Sequence, residues 1–209
     1  TQVEAVRGFE YRPTATTVEV REGDTTRIQL RMERLIDAPA RGWYSGDTHV
    51  HDLHQGRRGL THEEFFGQLV AEDLHMTHAL IHMDGTRLMG RWDDLTGEPH
   101  AVSTATHILQ YSQEFRGSLG HVSTLGASRF VLPLVGGAAN TPWEQPALDS
   151  RYLAAARAAG GLGGFTHPYL GDVSTPRGAG ATLIPVDAAI GLGDHYDVAA
   201  VYSDELRSA

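Results

Sequence analysis

Gly46-Asp47-Thr48-His49-Val50-His51-Asp52-Leu53-His54-Gln55-Gly56 packs three imidazoles and two carboxylates into one short stretch. On an extended backbone successive side chains alternate faces, so Asp47, His49 and His51 point one way and Val50 the other. Two imidazoles at i and i+2 can then share one ion. Neutral imidazole with carboxylate is the donor set that zinc, manganese and iron accept. A lone His-x-His is equally compatible with a solvated polar turn, so the rest of the chain has to decide between the two readings.

The chain has 209 residues, enough for one sizeable core, with 41% hydrophobic and 21% charged residues as in ordinary globular proteins. No apolar run approaches membrane-spanning length. A net charge of −9 argues against nucleic acid or an anionic membrane as the main partner. With no cysteine, any transition-metal site must be built from His, Asp and Glu, and there are 12 His to draw on. All 17 basic residues are arginine.

Residues 1–40 read as a β-rich N-terminal segment. Thr17–Arg21 and Thr25–Glu33 alternate apolar and polar residues around the turn Glu22-Gly23-Asp24 and predict a hairpin. Asp37–Gly42 reads as a linker, and residues 41–209 as the main domain, with alternating strands and helices. Thr61-His62-Glu63-Glu64 predicts a capped helix to about Asp73, with Phe66, Val70 and Leu74 on its apolar face. Met76–Met83 then predicts a buried strand. Residues 84–106 read as a long loop. Ile108–Phe115 and His121–Leu125 read as strands, the first also compatible with a helix, and Phe130–Val135 as another strand. A helix over Asp149–Ala159, a strand over Leu162–Thr166, a short helix near Val186–Ile190 and a strand over Asp197–Tyr202 complete the series. Ser203-Asp204-Glu205 looks like the start of one more helix.

His49, His51, His82 and His167 all fall at the ends of expected strands, where an α/β barrel collects its reactive groups. Glu114 and His121, flanking a turn near Gly117, add a carboxylate able to bridge two ions and a further imidazole. Among the other histidines, His62 and His75 flank a helix and read as solvated, His78 as a hydrogen-bonded core residue, and His100, His107 and His195 as loop or strand-start residues. Arg57, Arg87, Arg91 and Arg116 are the cations available to an anionic substrate.

From Trp43 to Tyr202 the chain resembles the PHP (polymerase and histidinol phosphatase) metallohydrolases, in particular their carbaryl hydrolase-like (CehA/McbA) branch. The resemblance lies in Gly46-Asp47-Thr48-His49-Val50-His51, in the helix, turn and strand ending at His82, in Glu114 followed by Gly120-His121, and in Thr166-His167-Pro168 after a glycine-rich strand. It implies a distorted (β/α)7 barrel and a cluster of two or three divalent ions, Zn, Mn or Fe. Implied ligands are His49, His51, His82, Glu114, His121 and His167, with His82 and His167 also in catalytic roles and Arg87, Arg91 and Arg116 near the substrate. The implied activity is hydrolysis of a small-molecule phosphoester, or of a carboxyl or carbamate ester. The chain departs from the family pattern at Gln55-Gly56, Ile81 and Ala200, where relatives carry acids. The family's final Asp-x-His is expected beyond Ala209, and the chain is expected to be incomplete at both ends. Asp52 and His54 are the nearest substitutes for the acid after His-x-His, and Asp47 reads as a positioning residue.

Amidohydrolase barrels also open with a strand-end His-x-His. Many bridge two metals through a carboxylated lysine, a subtype that a chain without lysine disfavours, and a mononuclear member remains the competing enzyme. A non-catalytic metal-binding module is the competitor from another class.

Overall fold

The computed structural model describes residues 1–53, 59–84, 86–117, 119–136, 149–167 and 184–197. At the N-terminal end, β1 (Gln2–Ala5) pairs antiparallel with β2 (Thr14–Thr17) as a separate two-stranded sheet. The hairpin expected over Thr17–Glu33 does not form; past β2 the segment makes only an isolated bridge between Tyr11 and Arg34. Alternation yields a strand only where the apolar face is covered and an edge is paired. Here Val20 and Ile28 stay 60% and 41% exposed. The segment is instead tied to the main domain by charge, with Arg7 donating to Asp73 at 2.8 Å and Arg34 standing 3.7 Å from the same carboxylate.

The main domain runs β3 (Gly46–Val50), α1 (His62–Ala71), β4 (Met76–Asp84), β5 (Arg87–Met89), β6 (Ile108–Gly117), β7 (Gly120–Leu125), β8 (Val135–Gly136), α2 (Asp149–Ala158), β9 (Leu162–Phe165), α3 (Ile184–Ala189) and β10 (His195–Tyr196). Its strands form one mixed sheet with the continuous order β10-β9-β7-β6-β4-β3, while β5 pairs with β4 and β8 with β6. The β3–β4, β4–β6 and β9–β10 pairings are parallel; β6–β7 and β7–β9 are antiparallel. The sheet curls into a half-barrel, so that Asp197, just past β10, accepts a hydrogen bond from Thr48 of β3 at 2.6 Å.

Helix α1 starts where its capping box requires. The Thr61 hydroxyl accepts from the Glu64 amide at 3.1 Å, and the Glu64 carboxylate accepts from the Thr61 amide at 2.8 Å. Its buried face is Phe65 and Leu69, one position away from the expected Phe66, Val70 and Leu74. Those two side chains point onto Ala79, Ile81, Leu109 and Tyr111 of the sheet, while Phe66 and Leu74 pack at the edge of that cluster. Burial of each contributes about 2 kcal/mol. Helix α2 covers the other half of the sheet, with Tyr152, Leu153 and Ala156 against Phe115, Val122 and Phe165.

The inner face of the sheet is polar. His78 Nδ1 bonds Ser112 Oγ at 2.9 Å, and His195 Nε2 bonds Ser123 Oγ at 2.7 Å. His78 is a core histidine as expected, with burial and then the nearby His195 pushing its pKa down to about 4. Gly164 lies against the His195 ring, where a Cβ would come within 2.5 Å of ring carbons. Ile108–Gly117 is a strand, which removes the helical alternative. Of the expected strand Phe130–Val135, only Val135 enters a ladder. The Gln113 side chain takes both main-chain groups of Val131, at 2.9 and 2.8 Å, in place of a neighbouring strand. The expected loop over 84–106 carries β5 and a 3-10 turn at Trp92–Asp94. Residues 198–202 of the last expected strand and the helix start at Ser203 lie outside the described residues.

Candidate metal centre

Five of the six expected ligands bring donor atoms together at one end of the curled sheet. His49 lies in β3 and His51 just after it, Glu114 near the end of β6, and His167 two residues past β9. β7 runs antiparallel to β6, so His121 at its start faces the same end, with Arg116 and His121 directly paired. One donor atom each of His49, His51 and Glu114 lies within 4.8 Å of the others, and the same holds for Glu114, His121 and His167. Glu114 belongs to both groups. The sixth, His82 of β4, is buried with its ring centroid 4.2 Å from that of His51.

The hydrogen bonds around His49 and His51 fix which nitrogens carry protons. The His51 Nδ1 lies 2.9 Å from the Leu80 carbonyl, which can only accept, so Nδ1 donates. The His49 Nδ1 lies 3.3 Å from Asp197 Oδ2, again an acceptor. In neutral rings both Nε2 atoms then present lone pairs, and they face each other across 3.1 Å. The Glu114 carboxylate adds negative charge 3.3 Å from His51 Nε2 and 3.6 Å from His49 Nε2. Converging lone pairs beside a carboxylate repel unless a cation or a proton lies among them.

Glu114 is buried, with its side chain shut off from solvent. Burial opposes its charge, but hydrogen bonds from His121 and His167 outweigh this and hold the carboxyl well below its usual range. His121 Nδ1 is 2.9 Å and His167 Nε2 3.6 Å from Glu114 Oε1, while Arg116 Nε donates to Oε2 at 3.1 Å. Burial, His167 and Arg116 lower the His121 pKa against the pull of Glu114, so the imidazole stays neutral and able to act as a ligand. His167 adopts φ 30°, uncommon outside glycine, and its amide donates to Asp197 Oδ2 at 3.3 Å.

No family model, curated protein or solved structure matches the chain.

Asp197 is the site residue that sequence reasoning missed. It accepts from Thr48, His49 and the His167 amide together, and its carboxyl is held low because those bonds outweigh burial. The sequence places it at the start of the last expected strand, where nothing marks a site residue, whereas in the structure it directly follows β10. Asp47 behaves as the expected positioning residue, accepting from the His49 amide at 2.8 Å. Asp52 does not reach the centre: its Oδ2 takes Arg91 Nε at 2.6 Å. Arg91 also bonds the Leu60 carbonyl, so its guanidinium is committed to the fold. Arg116 sits at the centre, bonded to Glu114, whereas Arg87 is exposed on β5. His54 and Arg57 lie outside the described residues.

Two further groups of possible ligands occur away from this centre, His62 with Asp94 and His100, and Asp73 with His75 and His107. His75 is buried rather than solvated, because the start of β4 turns it under Ser45, 2.8 Å from its Nδ1.

Asp149, at the start of α2, is buried, and neither carboxylate oxygen has a hydrogen-bond partner among the described residues. Burial first, and Asp187 second, push its pKa up to about 7. A carboxyl whose folded pKa is raised binds more protons folded than unfolded between its two pKa values. Stability therefore falls as pH rises from about 4 through about 7. Asp149→Asn is expected to be more stable than the parent at pH 8, by on the order of 2 kcal/mol, and to lose that advantage at pH 4. Thermal unfolding at the two pH values checks this; a pH-independent difference contradicts it.

Proposed function

We propose that the protein is a metal-dependent hydrolase of the PHP type, acting on an ester bond of a small molecule, either a phosphoester or a carboxyl or carbamate ester. The observation that carries the reading is the set of Nε2 lone pairs of His49 and His51 converging on buried Glu114, each ring held in that tautomer by an acceptor at its other nitrogen. In the fuller architecture the curled sheet is part of a distorted (β/α)7 barrel. The centre holds two ions, or three with His82, of zinc, manganese or iron.

His49, His51 and Glu114 would hold one ion, and Glu114, His121 and His167 the other. Divalent ions bound there supply Lewis-acid polarisation of the scissile group and acidify a water. Asp197 orients both His49 and the His167 backbone, and the Leu80 carbonyl orients His51. Glu114, kept ionised in a buried position, supplies the charge common to both ions. His82, against the His51 ring, would contact the leaving group, and Arg116, bonded to Glu114, would be the cation available to an anionic substrate.

One observation favours a non-catalytic metal-binding module instead: Arg116 already occupies Oε2 of Glu114, as in a reduced site. Assays against aryl phosphates and aryl esters separate the two. The hydrolase reading expects turnover that chelation abolishes and added zinc, manganese or iron restores. Turnover insensitive to chelation contradicts the mechanism. Metal-loaded protein inert on both substrate classes supports the binding module.

A further inference from the structure

The end of the sheet opposite the candidate centre carries its own set of donors. His75 immediately precedes β4, with Asp73 two residues before it, and His107 immediately precedes β6, on strands that start side by side with Met76 paired to Ile108. His82 and Glu114 lie six or more residues further along the same strands, roughly 20 Å away at 3.3 Å per residue. One donor atom from each of Asp73, His75 and His107 lies within 4.8 Å of the others.

The atoms there are prepared as ligands. The Ser45 hydroxyl donates to the Asp73 carbonyl, so toward His75 Nδ1, at 2.8 Å, it can only accept. Nδ1 of His75 therefore carries the proton and Nε2 presents a lone pair. His107 Nδ1 is engaged by Thr106 Oγ1 at 3.0 Å, and its Nε2 is buried without a hydrogen-bond partner among the described residues. Asp73 is only 6% exposed. Its Oδ1 takes Arg7, whereas its Oδ2 is also buried without a hydrogen bond, Arg34 standing 3.7 Å away. The two imidazoles lie nearly parallel, at 12° and 5.0 Å between centroids. Burial and the His75 ring lower the His107 pKa, consistent with a neutral donor.

Asp73 also stands where a helix normally ends in glycine. It follows α1 at φ 60°, with its amide on the Val70 carbonyl and the Leu74 amide on the Leu69 carbonyl. Aspartate enters that region more readily than most side chains. Arg7 uses one oxygen, which leaves the other with the two imidazoles. The two nearby arginines are balanced by Asp73, Glu10 and Asp37, so the pocket carries no excess positive charge.

We propose that Asp73, His75 and His107 hold a second, separate divalent transition-metal ion that joins the N-terminal segment to the base of the sheet. Two imidazoles and a carboxylate, with one position left for water, suit zinc or cobalt. Because Asp73 is bonded at once to Arg7 and to the ion, the ion braces the contact between the segment and the sheet.

The test uses the whole chain dialysed against zinc and then analysed for bound metal, with cobalt substitution read by its visible absorption. His107→Phe keeps the stacked ring and removes the donor, and His75→Ala is the second variant should the first unfold. Each is expected to bind one zinc equivalent fewer than the parent and to lose one cobalt component. Added zinc should raise the melting temperature of the Glu114→Gln protein, in which both halves of the candidate centre are weakened, but not once His107→Phe is added. Parent zinc content in a folded His107→Phe or His75→Ala protein overturns the proposal. The Glu114→Gln background alters only the candidate centre, so the failure of one site is distinguishable from the failure of the other.

Discussion

Glu114→Gln is expected to weaken both halves of the candidate centre at once, lowering metal affinity by ~100-fold or more at each. Glu114 is the one residue common to the two donor groups, and its oxygens lie within 3.6 Å of His49, His51, His121 and His167. The amide keeps the shape of the carboxylate but removes the charge that offsets two cations. It also points an NH2 donor toward lone pairs or ions that need an acceptor. By contrast, His51→Ala should weaken one half and leave the group of Glu114, His121 and His167 able to bind. Isothermal titration with zinc checks the pair of variants. Loss of one binding event in His51→Ala and of two in Glu114→Gln is the expected pattern. Equal losses in both variants would show that Glu114 does not bridge.

The largest stability effect is expected at Arg91. Asp52 has a side chain only 2% exposed, and its charge is met by Arg91 Nε at 2.6 Å and by the Tyr111 hydroxyl at 3.4 Å. Burial and then the Asp52 charge push the Tyr111 phenol pKa up, so the hydroxyl stays protonated as a donor. Replacing Arg91 with methionine keeps the packing of the stem and leaves a buried carboxylate with no counter-charge. That change typically costs about 3 kcal/mol or more, which in a chain of this size lowers the melting temperature by roughly 10 °C. Asp52→Asn/Arg91→Met should recover part of the loss, since the uncompensated charge is then gone. Metal content should not change in either variant, because Asp52 is no ligand. A thermal scan showing Arg91→Met within about 2 °C of the parent would contradict this account of the pair.

Sequence reading reached the main strands, both long helices and the histidine pair whose donor atoms converge because each rests on a local signal. The capping box at Thr61–Glu64 fixes a helix start within four residues. The His-x-His at 49 and 51 fixes a shared face through strand alternation. Sequence reading failed where the deciding partner is remote. Nothing local in Thr25–Glu33 says that no layer covers it. Nothing around Phe130 says that Gln113, 18 positions from Val131, will take its main-chain bonds. Asp52 looked like the missing acid because it is near His51 in sequence, yet Arg91, 39 positions on, claims it. Asp197 was invisible for the same reason, since its partners Thr48 and His49 lie across the curled sheet. His75 and His107 are apart in sequence and meet only because β4 and β6 start together.

Elemental analysis of the purified protein beside its His49→Ala/His51→Ala variant tests the central claim most directly. At least one equivalent of zinc, manganese or iron is expected in the parent, and one equivalent or more should be missing from the variant. Full retention of the parent's metal by a folded double variant would contradict a metal centre at His49 and His51.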